Sequence, residues 1–198
     1  MHKQIQDGEN FALCPQGKEG LFTRAPQPAS GSVVTSIERV GSFVRMNIAL
    51  NAARITVTDA AGSGSSGSLL LGTFIEQAVH PISSRQNYTA FAEGAALTGA
   101  AGDAVFKMAL GSAAANAGDA ALTGTEVDFA PATANITLSD GTGTGGVYGG
   151  ITTLPIDGTG TAIPLYLNWS GTAATIDANS TIDVTGTISL VFSILGDD

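Results

Sequence analysis

The sequence predicts an all-β protein, a jelly-roll-like β-sandwich with an extended N-terminal arm, and three observations carry that prediction. The first is the end of the chain, Thr181 to Leu195 (TIDVTGTISLVFSIL), where Ile182, Val184, Gly186, Ile188, Leu190, Phe192 and Ile194 occupy every even position. Side chains alternate across a strand with period two, so this stretch has one buried face. The second is a series of short apolar runs separated by Gly and Ser, the pattern of successive strands. The third is the Ala-rich middle, residues 90–124. Alanine favours helix, yet Gly94, Gly99, Gly102, Gly111, Gly118 and Gly124 interrupt before any 3.6-residue stripe lasts three turns.

Residues 1–30 stand apart from the body, residues 31–198. Phe11, Leu13, Leu21 and Phe22 are scattered among Pro15, Gly17, Gly20, Pro26 and Pro28. Proline removes backbone donors and biases its predecessor away from helix, so this segment is extended or looped. Two readings are open: a frayed terminus, or an arm whose four large apolar residues dock on a shell protein or another copy. On the second reading the arm can be deleted without disturbing a domain that begins near Ser32.

In the body, Phe43 to Leu50 alternates Val44, Met46, Ile48 and Leu50 against Arg45 and Asn47, and Arg54 to Thr58 alternates again. These read as two strands. Gly62 to Ser68 reads as a flexible loop, Leu69 to Ile75 as the next strand, with room for one short helix around Leu71 to Val79. Ala104 to Leu110 alternates Phe106, Met108 and Leu110 against Lys107, a strand between small-residue loops. Glu126 to Ala130 and Asn135 to Leu138 supply two more, and Asp140 to Gly150 reads as a glycine-rich turn.

Thr161 to Trp169 sets Ile163, Leu165, Leu167 and Trp169 on one face. Pro164 lacks a ladder donor, which makes this an edge strand or puts the proline at a strand start. Ala173 to Asn179 bridges to the final strand. At roughly 3.3 Å per residue that strand runs about 50 Å, and Gly186 is the place for it to bend or bulge. From Leu190 onward its second face turns apolar through Val191 and Leu195, so its end lies inside a sandwich or under a partner subunit. Val191 and Leu195 are therefore candidate subunit contacts. The count is roughly nine to eleven strands and almost no helix.

The chain of 198 residues, 43% hydrophobic, is long enough for one well-filled core. Only 13% of it is charged, about half the ordinary share, which suits a protein that gives surface to neighbours. All eight Lys and Arg lie in residues 1–107. From Met108 on there are nine acids and no base, within a net charge of −9. An acidic half repels phosphate, which argues against nucleic acid as a partner. Cys14 is alone, so no intrachain disulfide forms. The opening MHKQIQDGEN has no apolar core and no run approaches the ~18 apolar residues of a membrane helix. These point to a chain made in a cytoplasm, with no membrane partner.

Sites of chemistry are weak. Gly141-x-Gly143-x-x-Gly146 has dinucleotide spacing, but that fingerprint needs a following helix to hold the pyrophosphate, and glycine and threonine follow instead. With His2, His80 and one Cys, a zinc site would need carboxylates gathered from afar, and His80 beside Pro81 reads as a loop residue. Glu126 and Asp128 fall on one face of their expected strand, as a glycosidase pair would. They read instead as a solvated edge, and Trp169, in phase with Leu165 and Leu167, as core rather than a sugar platform. No catalytic, cofactor-binding or metal residue is assigned.

Three stretches carry a resemblance: Arg54–Leu71 (RITVTDAAGSGSSGSLLL), Gln86–Phe106 (QNYTAFAEGAALTGAAGDAVF) and Ile156–Asp198. Together they resemble the small β-rich structural proteins encoded with the head genes of tailed bacteriophages. The resemblance covers about two-thirds of the chain and brings no catalytic residue. It implies a capsid cement or decoration protein: a homotrimer on the outer surface of a virion head, stabilising the shell by binding the major capsid protein. The alternative is a receptor- or glycan-binding module of a head fibre or tail, which needs an exposed aromatic or acidic pocket.

Overall fold

The computed structural model describes residues 21–40, 43–60, 64–75, 78–93, 103–117, 121–139, 142–143, 145–150, 155–171 and 179–195. The described residues form eleven strands: β1 (Phe22–Arg24), β2 (Ser32–Val40), β3 (Phe43–Ala60), β4 (Gly64–Phe74), β5 (Ala78–Glu93), β6 (Asp103–Gly111), β7 (Ile136–Ser139), β8 (Thr142–Gly143), β9 (Val147–Gly150), β10 (Ile163–Gly171) and β11 (Ser180–Leu195). One 3-10 turn, Gly124–Glu126, is their only helical element.

All strands belong to a single antiparallel sheet in the order β1-β4-β10-β6-β7-β8-β5-β11-β3-β2, with β9 on β5. The sheet curls into a half-barrel. The strands next to its two ends also meet, where Val57 to Ala60 of β3 pair with Gly67 to Gly64 of β4. The apolar residues of each strand point into the curl, as the period of two requires.

The final strand organises the sheet. β11 pairs with β3 from Ser180 to Phe192 on one side and with β5 from Ile182 to Leu195 on the other. Ile182, Val184, Ile188, Leu190 and Phe192 are buried. Gly186 is the bulge expected of it, for the register slips beside it against both neighbours. A Cβ at Gly186 would stand 2.3 Å from the Asn87 carbonyl oxygen, so only glycine allows β5 this close.

The same bulge merges two expected strands into one. Opposite Thr185, β3 carries extra residues between Leu50 and Ala53. Its buried positions are even up to Leu50 and odd from Ala53 on. Ala52 takes a left-handed φ of 48°, and its N–H donates to the Thr185 hydroxyl at 3.1 Å. The gap in alternation between Leu50 and Arg54 marks a change of parity, not the end of a strand.

Two aromatic groups fill the curl. Phe74 of β4 meets Phe22 at 5.0 Å, Phe129 at 5.3 Å and Phe192 of β11 at 5.2 Å between ring centroids. Phe106 joins Phe91 at 5.2 Å to Trp169 at 5.4 Å, and Tyr88 lies 5.5 Å from Phe91. Trp169 is fully buried, as its phase with Leu165 and Leu167 predicts. Pro164 is the second residue of β10, in register with Thr73 of β4, and β6 begins pairing only at Tyr166, so no ladder donor is missed on that side.

Several expectations are corrected. The Gly/Ser run is strand from Gly64 on: a Cβ at Gly67 would stand 2.4 Å from the Thr56 carbonyl oxygen, so the glycine lets β4 lie this close to β3. No helix forms in the described part of residues 71–79, where β4 ends at Phe74 and β5 starts at Ala78. His80 lies in β5, paired with Ser193. Val147 to Gly150, read as turn, is β9, and this strand rather than a helix follows the Gly-x-Gly-x-x-Gly spacing. Glu126 to Ala130 is no strand: Glu126 ends the 3-10 turn, and of the residues after it only Ala130 bridges, to Leu110.

Candidate functional site

The most polar part of the interior lies outside the curl, where the β6–β7 connection crosses β10 and β4. Asn168 of β10 is its hub. Its amide nitrogen donates to the carbonyls of Ala113 and Glu126, both at 2.9 Å. Its oxygen accepts from the Ser68 hydroxyl at 2.6 Å and the Ala115 N–H at 3.2 Å. Beside it the Ser66 hydroxyl donates to the Asn116 carbonyl at 2.6 Å. A buried amide satisfied on both ends holds a loop in one place, because losing any partner strands a polar group away from water.

Glu126 and Asp128 belong to this lock, not to a solvated edge. Glu126 is buried and its carboxylate accepts from the Thr123 N–H at 2.9 Å, the Asn116 N–H at 3.0 Å and the Asn116 amide at 3.2 Å. Asp128, half-buried, accepts from the Ser112 N–H at 2.7 Å and its hydroxyl at 2.5 Å. Burial pushes the Asp128 carboxyl above its ordinary range, and the two Ser112 bonds pull partly the other way. Trp169, the aromatic weighed as a sugar platform, is fully buried on the opposite, inner face of β10.

The candidate docking residues separate. Phe22 is 1% exposed within the chain's own core, and Thr23 and its neighbours pair with Gly72 to Phe74. Leu21 packs partly buried against that core. Phe22 is thus a strand residue of the body, not an anchor for a neighbour, and the boundary at residue 30 falls after the first strand. Phe11 and Leu13 lie outside the described residues. On β11, Val191 is half-buried and Leu195 is 40% exposed, both on the outer face.

That outer face, formed by β2, β3, β11, β5 and β9, is the other feature of the surface. The large hydrophobics exposed among the described residues are Val34, Phe43, Val147 and Leu195, and all four lie on it. Register places Val34 beside Ala49, Ala49 beside Thr187, Thr187 beside Asn87 and Asn87 beside Val147, one row across five strands. The next row runs Ser36, Asn47, Ser189, Arg85 and Gly149, with the Ser189 hydroxyl donating to Asn47 at 2.7 Å. Arg54 and Asp183 form a two-bonded ion pair here, each bond 2.7 Å, and that hydrogen bond raises the Arg54 pKa further. Sequence reasoning found Leu195 by the alternation of its strand. It missed Val34 and Val147, since only the register across five strands unites them.

Among the described residues no group of three or more His, Cys, Asp or Glu could hold a metal, and no helix is long and apolar enough to cross a membrane. No protein-family model, curated protein or solved structure matches the chain.

Proposed function

We propose that the chain is a structural protein of a tailed-phage head, a capsid cement protein that binds the major capsid protein on the outer surface of the shell, as a homotrimer. The observation that supports a structural role is the use made of the polar residues. The two carboxylates best spaced for acid–base work, Glu126 and Asp128, are tied to Asn116, Thr123 and Ser112 in holding a loop. Binding would then come from many modest contacts, at about 25 cal/mol per Å² of apolar area, multiplied over a repeated lattice. The sandwich or jelly-roll character expected of such proteins is part of the same proposal, as a description of the two halves of the curled sheet.

The glycan-binding alternative has less to build with. Phe43 is the one aromatic among the exposed large hydrophobics of the described residues, and Trp169 is buried. The test is to mix purified protein with heads stripped of accessory proteins and image them by electron microscopy. Regular added density on the outer lattice is the expected result. Heads that neither co-sediment with the protein nor gain density would overturn the head-binding reading.

A further inference from the structure

We propose that copies of this chain associate flank to flank through the outer face of β2, β3, β11, β5 and β9, with Val34 of one copy against Val147 of the next. The inference names the contact for the homotrimer proposed above, but its test is made in solution without heads. The two readings can therefore fail separately.

Val34 and Val147 are 51% and 57% exposed, the two most exposed of the large hydrophobics described. They stand at opposite ends of a single row, with Ala49, Thr187 and Asn87 between them. Five strands at about 4.8 Å spacing set them about 19 Å apart. Because the sheet curls, its two flanks turn away from the middle strand, so these valines face outward to opposite sides. Copies arranged around an axis along the strands bring the β2 flank of one to the β9 flank of the next at the same height. A contact between unlike surfaces of this kind closes into a ring.

Charge agrees with a second copy as the occupant. Chains of net charge −9 repel, yet this face carries Arg45, Arg54 and Arg85 against Glu38 and Asp183. Arg54 and Asp183 satisfy each other; the other three make no ion pair among the described residues. Glu38 lies on the β2 flank, two residues beyond the row of Ser36 that crosses the sheet to Arg85. Glu38 stands opposite Arg45 in the β2–β3 register, which leaves Arg85, one row from Val147 and on the strand beside it, as the cation that an acidic neighbouring copy meets.

The test is mass by light scattering and sedimentation at micromolar concentration. The natural chain should give three chains' mass, and Val34→Glu or Val147→Glu should each reduce it to one, with an unchanged circular dichroism spectrum. Combining Val34→Lys with Val147→Glu should restore the assembly, because opposite charges then meet; Val34→Lys with Val147→Lys should not. In a Cys14→Ser background, Val34→Cys with Val147→Cys should form disulfide-linked multimers under mild oxidation, which decides the matter if a charged variant fails to fold. A natural chain of single-chain mass, folded Glu variants that stay assembled, or cysteines that never link between chains would each overturn the proposal.

Discussion

The side-chain amide of Asn168, fully buried on the outer side of β10, donates to the backbone carbonyl of Glu126 at 2.9 Å, 42 residues away in sequence. The same nitrogen holds the Ala113 carbonyl, so one side chain fixes both ends of the loop that Glu126 closes from within. Asn168→Ala should leave those acceptors and the Ser68 hydroxyl without their partner, while the Ala115 N–H keeps its 2.8 Å bond to the Ser68 oxygen, at a cost on the order of 3 kcal/mol. Asn168→Asp keeps the shape but turns a donor into an acceptor facing two carbonyls, and should cost at least as much. Urea unfolding of both variants checks this; a midpoint within error of the natural protein would remove Asn168 from its central place.

At Gly186 the prediction concerns space. A Cβ there would meet the Asn87 oxygen at 2.3 Å and the Tyr88 Cα at 2.9 Å, and both are backbone atoms that a rotamer change does not clear. Gly186→Ala should force β5 and β11 apart and cost about 1–3 kcal/mol. Thermal melting measures the loss. A neutral outcome would mean that the bulge relaxes freely.

Removal of the N-terminal residues should show two regimes. Truncation through residue 30 takes away Phe22, which fills the core against Phe74, and should destabilise by about 3–5 kcal/mol, as Phe22→Ala should. That outcome contradicts an arm dispensable up to residue 30. Truncation through residue 20 leaves β1 intact and should keep the melting temperature, which scanning calorimetry of the two constructions of the gene will distinguish.

Much of the fold was legible because alternation reports which face of a strand is buried. Ile182 to Phe192 and Ile163 to Trp169 lie where period two puts them, and Gly186 bulges because nothing else in its strand lacks a side chain. Legibility ended where a residue's environment is made by sequence-distant chain. Ser65 and Ser66 read as loop because serine beside glycine usually is, yet both are buried in a strand covered by the β6–β7 connection. Phe22 looked loose because β1 is three residues long, too short to show a period. Glu126 looked exposed because a carboxylate usually is, and only Asn116 and Thr123 make its burial tolerable. The row from Val34 to Val147 depends on register between five strands, which local patterns do not encode.

The pH dependence of stability should carry the mark of Asp128. Burial raises its folded pKa above the unfolded value, so the native state binds its proton more tightly than the unfolded chain does. Its contribution is therefore fully present below the unfolded pKa and is lost as pH rises through the folded one. Asp128→Asn, which keeps an acceptor for the Ser112 N–H, removes this titration. The natural protein should gain stability relative to the variant as pH falls from neutral through the upper carboxylate range. Parallel profiles from chemical denaturation across that range would show that the carboxylate titrates alike in both states.

The free edge of β2 offers the last prediction. Strand edges expose unpaired N–H and C=O groups that recruit other chains, and here a side chain takes the place of a strand. The Gln27 amide oxygen accepts from the Val33 N–H at 2.8 Å, and its nitrogen donates to the Val33 carbonyl at 3.1 Å. Arg24 adds a bond to the Thr35 carbonyl further along the same edge. Gln27→Ala opens Val33 on both counts while leaving the core and the pairing of β2 with β3 unchanged. At about 1 kcal/mol for a net hydrogen bond, the Val33 amide should exchange with solvent roughly fivefold faster, and the amides that pair with β3 should not. Residue-resolved hydrogen exchange separates the two sets. Equal acceleration along the whole strand would mean that Gln27 supports β2 as a unit and is not a local cover for its edge.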